Sequence, residues 1–371
     1  MVKIYWQGVV FHPTGVASHH REIIRGLIKK GIPVHVFDFY NPDFDDSKQT
    51  LGNNAYSLID YKDKDVCTIL TYRPDMWLST QIAGDVYGLV VHEGSKIPEN
   101  WGEIINRICK KIIVPSKATK NLFFNGGVRV PIHIVPEGID TNRFNPKIKP
   151  REREDEIKDK CVFLSVNSWT GAENDRKGTD ILIKAFLNEF TEEDDVALYL
   201  KISTFFMPQY DAEKLIKNIG KEMGLTKIPT IIADQTYLEP SKLPQLYRMA
   251  DCFVSPTMGE SWGLTIHEAM ASGLPVILTK NNEAGYMDFV GDFPFWIETK
   301  EKIQADRRFF VEGNLMPKPD IDSLRKRMRE VYELWKKDRN KLKDRGIKGS
   351  NHVSKYTGEY SAQKLVEVLK K

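Results

Sequence analysis

Short apolar runs alternate along this chain with stretches in which apolar positions recur every three or four residues. Lys3–Trp6, Pro33–Phe39, Ile69–Tyr72, Tyr87–His92 and Lys111–Pro115 read as strands, with an amphipathic helix over residues about 16–30. The pattern lapses near residues about 145–160, which carry two prolines and a run of charge. It then restarts with strands at Val162–Val166, Ala197–Ile202, Thr230–Ala233, Cys252–Pro256 and Pro275–Thr279. Helices at Asp180–Phe190, 211–223, Ser241–Met249 and about 262–272 separate them. Short buried strands joined by helices mean βαβ units and parallel sheets, hence an α/β protein with two doubly wound, facing domains. The tail reads as helix over about 320–345 and 358–370, the last with Ala362, Leu365, Val366 and Leu369 on one face that needs a partner surface.

Composition narrows the classes. At 371 residues, with 41% hydrophobic and 28% charged residues, the chain is long enough for two cores and is not of disordered composition. A net charge of +3 and the lack of any nucleic-acid signature argue against a nucleic-acid partner. The four cysteines, Cys67, Cys109, Cys161 and Cys252, form no CxxC pair and sit beside apolar runs, as buried free thiols in a reducing compartment do. No run approaches the ~18 apolar residues of a membrane span, and the first residues read as a strand; a cytoplasmic protein is expected.

The most informative stretch is Cys252–Val276. It reads as a strand, a loop Thr257-Met258-Gly259-Glu260-Ser261-Trp262-Gly263, a helix containing Glu268, and a Ser272-Gly273 cap before Pro275. Open α/β sheets bind ligands where such loops meet helix N-termini. Gly259 and Gly263 allow a ligand close to the backbone. A helix starting at about Trp262 would offer the amides of Gly263, Leu264 and Thr265 to a phosphate. The E-x7-E spacing of Glu260 and Glu268 is weak alone: it recurs at Glu359 and Glu367, where a solvated helix face explains it.

In that context the segment resembles the signature of retaining GT-B glycosyltransferases of the family 4 type: Pro256-Thr257, then Glu260-Ser261-Trp262-Gly263, then Glu268-Ala269-Met270-Ala271-Ser272-Gly273-Leu274-Pro275-Val276-Ile277. The resemblance implies two Rossmann-like domains, 1–150 on the acceptor side and 151–350 for the nucleotide-sugar, with a C-terminal helix, 351–371, crossing back to the first. It implies that Glu268 holds the donor ribose and that Glu260 lies near the transferred sugar. Gly259, Ser261, Trp262, Gly263 and Leu264 would line the donor site. Arg176-Lys177-Gly178 matches the family's Lys-Gly element, whose lysine grips the donor phosphates; the family's Gly-Arg pair after the strand is here Asn167-Ser168-Trp169, and Arg176 is the candidate substitute. Gly15 matches the glycine of the first βα loop, and His92 the histidine placed near the donor sugar; each also fits an ordinary structural role. Val114-Pro115-Ser116-Lys117 and Val135–Pro146 match too, with Glu137 where the family usually has asparagine.

The activity implied is transfer of a hexose from GDP-mannose or a UDP-hexose to a glycan or lipid-linked acceptor, with retention. A full charge 4 Å from a phosphate is worth roughly 4 kcal/mol at an effective dielectric near 20, so Lys177 should outweigh any one helix amide. With that cation no metal or other cofactor is expected. The strings Asp43-Phe44-Asp45, Asp63-Lys64-Asp65 and Asp320-Ile321-Asp322 read as surface charge, and His19-His20 as the exposed side of the first helix. Two other classes compete: a nucleotide-sugar epimerase of similar architecture, which needs no acceptor, and a non-catalytic sugar-nucleotide-binding protein. Arg21, Arg25, Lys29 and Lys30 on the first helix fit a solvated face or peripheral contact with anionic lipid at the inner membrane face.

Overall fold

The computed structural model describes residues 3–12, 14–39, 65–169, 174–203 and 211–370. The chain divides into two compact units, Met1–Asp140 with Lys355–Lys371, and Thr141–Ser354.

The first unit holds a parallel sheet of β1 (Lys3–Gly8), β2 (Val34–Asp38), β3 (Val66–Thr71), β4 (Asp85–Leu89), β5 (Lys111–Val114) and β6 (Ile132–Ile134). Their order is β2-β1-β3-β4-β5-β6. Helices α1 (Gly15–Lys29), α2 (Glu99–Ile108) and α3 (Lys117–Asn125) belong to it. The second unit repeats the plan with β7 (Cys161–Asn167), β8 (Val196–Ile202), β9 (Thr230–Asp234), β10 (Cys252–Ser255), β11 (Val276–Thr279) and β12 (Phe295–Ile297), ordered β12-β11-β10-β7-β8-β9. Its helices are α4 (Thr179–Glu189), α5 (Ala212–Glu222), α6 (Leu243–Met249), α7 (Leu264–Ala271), α8 (Ile321–Lys337) and α9 (Arg339–Val353). Every residue of β8 is buried, as expected of a central parallel strand covered on both faces. In this sheet the chain runs outward from β7 to β9, then returns to lay β10 beside β7. The loops after β7 and β10 therefore leave neighbouring strand ends at the point where the strand order reverses, the place such sheets hold ligands.

The final helix, α10 (Gly358–Lys370), packs along α1. Ala362 and Leu365 are fully buried, and Gly26 leaves no room for a side chain: a Cβ there would stand 2.6 Å from that of Ala362. Ser361 donates to the Pro136 carbonyl at 2.6 Å, and the buried Lys111 ammonium donates to the Val368 carbonyl at 3.1 Å, near the helix end where a cation is favoured. Because α1 is covered by the sheet and by α10, His19 and His20 are both buried, contrary to the expectation that they face solvent.

Other differences are local. The stretch of about 320–345 expected as one helix is two, broken at Asp338, which ends α8 and caps α9 by accepting Lys341 N–H. Strands β6 and β12 and an antiparallel hairpin, β13 (Thr299–Gln304) with β14 (Leu315–Pro319), were not anticipated. The charged stretch read as a linker packs on the second unit: Ile157 is fully buried, and Arg153 bonds the Met249 carbonyl and the Asp251 carboxylate. All four cysteines are free and buried. Among the described residues no helix is long and apolar enough to cross a membrane.

Candidate active site

The loop after β7 ends in Arg176-Lys177-Gly178, and Gly178 caps α4 with φ +66°. That angle is cheap only for glycine, and a Cβ at this position would stand 2.4 Å from the Pro256 carbonyl oxygen. The glycine thus lets the β7 loop lie against the end of β10. A backbone bond from Met258 N–H to the Arg176 carbonyl, 2.8 Å, fixes the two loops together.

This contact brings two cations onto one carboxylate. The Lys177 ammonium donates to Glu260 Oε1 at 2.6 Å, and the Arg176 guanidinium stands 3.1 Å from the same oxygen. Arg176 also donates to the Gly259 carbonyl. The Thr257 hydroxyl, fully buried, lies 3.0 Å from Glu260 Oε1 and accepts from Gly259 N–H at 3.4 Å. Burial alone would raise the carboxyl pKa. The charges of Lys177 and Arg176, with hydrogen bonds from Lys177 and Thr257, outweigh it and hold Glu260 below its ordinary value. Glu260 is therefore an anion at neutral pH, fixed from several sides. Asn281 holds the loop from the other side by donating to the Met258 carbonyl at 2.9 Å, and Gly285 N–H donates to the Glu260 carbonyl at 2.7 Å.

Helix α7 starts at Leu264, two residues later than Trp262, because Gly263 takes φ +100° as its cap. The amides at its open end are accordingly those of Leu264, Thr265 and Ile266. Trp262 is buried, its ring 4.6 Å from that of Phe289, so it shapes the loop from inside. Ser261 is buried as well. Glu268, one helical turn further on, accepts from the Tyr247 hydroxyl at 2.8 Å.

Of the residues singled out from sequence, Arg176, Lys177, Gly259, Glu260, Ser261, Trp262, Gly263, Leu264 and Glu268 all fall on these two loops and α7, in the second unit. Gly15 and His92 belong to the first. Gly15 opens α1 behind the N-cap Thr14. The loop before it is held by Asp38, whose carboxylate accepts Val10 N–H at 2.6 Å and Phe11 N–H at 2.7 Å, and by His20 Nδ1, 2.7 Å from the Val9 carbonyl. His92 follows β4 and packs edge-on against Trp101, with ring centroids 5.1 Å apart.

Thr257, Asn281, Tyr247 and Asp38 were not picked out as site residues. Thr257 stands inside the quoted signature; Asn281 and Tyr247 reach the site's residues only through the fold, and Asp38 holds the first unit's loop before Gly15. The strings Asp43-Phe44-Asp45 and, but for its last residue, Asp63-Lys64-Asp65 lie outside the described residues. Asp320 caps α8 by accepting Ser323 N–H at 2.7 Å. Among the described residues no group of three or more His, Cys, Asp or Glu side chains could hold a metal ion. On α1, Arg21 donates to the Val10 and His12 carbonyls, Arg25 pairs with Glu22, and Lys29 pairs with Glu359.

Two six-stranded parallel sheets flanked by helices are the architecture of a GT-B fold, and comparison with known proteins agrees. Residues 151–349, more than half of the chain, match the family described as glycosyl transferases group 1, and the chain belongs to that family. Mannosylfructose-phosphate synthase of Agrobacterium fabrum is 32% identical over 181 residues, which is 47% of this chain and 39% of that protein. Among solved structures, the Anabaena protein HepE in complex with UDP and glucose superposes with a TM-score of 0.68 at 16% identity, each chain covered in full at 100%. The α,α-trehalose-phosphate synthase (UDP-forming) of Burkholderia xenovorans, in complex with glucose-6-phosphate, reaches 0.70 at 10% identity, again over 100% of both chains. The chain thus spans well under two thirds of the length of that curated relative, while its fold is matched from end to end.

Proposed function

We propose that this protein transfers a hexose from a nucleotide-diphosphate sugar to a glycan or lipid-linked acceptor, with retention of anomeric configuration. The observation that carries the reading is the convergence of Lys177 and Arg176 on Glu260 beside the open end of α7. A departing nucleotide diphosphate gains negative charge as the glycosidic bond breaks. Lys177, Arg176 and the amides of Leu264 and Thr265 stabilise that charge, so the reaction needs no metal. Glu268 holds the ribose, and Glu260, kept anionic, steadies the sugar as its anomeric carbon becomes positive. The leaving diphosphate takes the acceptor's proton on the face it departs from, which gives retention. Gly15 and His92 are the first unit's contribution to donor binding in this reading. The names of the two structural relatives carry UDP and that of the curated relative a mannosyl group, so a UDP-hexose and GDP-mannose are the two donors to test. Contact with an anionic membrane would fall to Lys30 and the exposed length of Lys29, since Arg21 and Arg25 are engaged within the protein.

A thermal-shift screen against UDP, GDP, ADP and their sugars is expected to single out one base. NMR of the product made from that donor is expected to show the donor's own anomeric configuration. An inverted product would refute retention, and the absence of a shift with every nucleotide would refute the donor site.

A further inference from the structure

Glu268 does not stand alone in its helix. The Tyr247 hydroxyl, on α6, donates to Glu268 Oε2 at 2.8 Å, and Tyr247 is fully buried. Its ring is gripped by Phe144, edge-on at 6.0 Å between centroids, and by Phe253 at 5.9 Å. Phe144 comes from Val135–Pro146, a run the sequence singles out and that no step of the proposed reaction uses. A second bond, from Arg248 to the Ser272 carbonyl at 3.1 Å, ties α6 to the far end of α7. Burial, and then the Glu268 charge, push the Tyr247 hydroxyl well above its ordinary pKa, so it is a donor at neutral pH. A carboxylate accepts several hydrogen bonds, and a fixed donor on one oxygen holds its rotamer and directs what remains.

We propose that Tyr247, backed by Phe144, is a positioning residue for ribose recognition. It holds the Glu268 carboxylate where the ribose hydroxyls of the donor donate to it, and so sets the preference for ribose over deoxyribose. This inference rests on the reading of Glu268 as the ribose ligand.

The test uses the full chain and calorimetric binding of UDP, GDP and ADP, followed by the 2′-deoxy and 3′-deoxy forms of whichever binds. The unaltered protein is expected to prefer the ribose form by about tenfold or more, the scale of one hydrogen bond to a charged group. Tyr247→Phe removes only the hydroxyl and is expected to narrow that preference to about threefold or less. Loss of ordinary packing would weaken ribose and deoxyribose forms alike, so the ratio separates positioning from structure. Should Tyr247→Phe not fold, Phe144→Leu serves instead and is expected to narrow the ratio in the same direction. Glu268→Gln distinguishes the two layers of the idea. If Glu268→Gln abolishes the preference and the Tyr247 or Phe144 variant keeps it in full, Tyr247 has no positioning role and the ribose reading stands. If Glu268→Gln keeps it, or the unaltered protein has none, both are overturned.

Discussion

Lys177 and Glu260 show how one residue's chemistry depends on another brought to it by the fold. The lysine stands 2.6 Å from the carboxylate, so it neutralises Glu260, and in the proposed reaction it also faces the donor diphosphate. Replacing it by alanine leaves Arg176 to hold Glu260 but removes a full charge from the leaving group. Lys177→Ala is therefore expected to lower turnover by roughly two orders of magnitude, measured by steady-state kinetics with saturating donor. Turnover within twofold of the unaltered enzyme would take Lys177 out of the reaction. The pair was legible as residue types in the sequence. Their contact was not, since 83 positions separate them.

At the scale of elements, the site depends on two glycines that let loops turn where a side chain would collide. Gly178 is the clearer case, with φ +66° and the Pro256 oxygen 2.4 Å from any added Cβ. Gly178→Ala combines a left-handed residue, about 1–2 kcal/mol, with a clash against backbone that the Met258–Arg176 bond holds in place. The expected result is a Tm lowered by several degrees and nucleotide affinity reduced, because Lys177 moves with its neighbour; calorimetry with UDP and GDP checks both. An alanine variant of normal Tm and affinity would show that the loop tolerates another path. The strand–loop–helix order around this glycine was readable from apolar runs and turn residues. The start of α7 at Leu264 was not, because it is decided by the φ of Gly263.

For the whole molecule, buried titratable groups predict that the two units lose stability differently in acid. Burial lowers His20 to about 4 and His19 well below its ordinary value, both in the first unit, and His267 to about 4 in the second. A histidine whose pKa is depressed in the folded state gives stability that is present above about 6.5 and is lost as pH falls toward 4. For His20 and for His267 this is worth about 3 kcal/mol each. Asp175, in the second unit, has the opposite sign: burial raises it to about 6, so its contribution is present at low pH and is lost as pH rises through 6. Between pH 6.5 and 4 Asp175 offsets His267 in the second unit, whereas His19 and His20 act in the same direction in the first. The unit formed by Met1–Asp140 and Lys355–Lys371 is expected to open first on acidification, read by hydrogen exchange at pH 6.5, 5 and 4. Earlier loss of protection in Thr141–Ser354 would contradict this.

The sequence by itself determined the alternation of buried strands and helices, the two-sheet plan, and the types of residue at the ends of β7 and β10, because burial periodicity and turn chemistry are local. Only the tertiary structure decided which of those residues meet. It packed α10 on α1 and so buried His19 and His20, joined Tyr247 to Glu268 across two helices, and closed two cations on Glu260. Contacts of that kind depend on strand order and helix packing, which the spacing of residues along a chain does not encode.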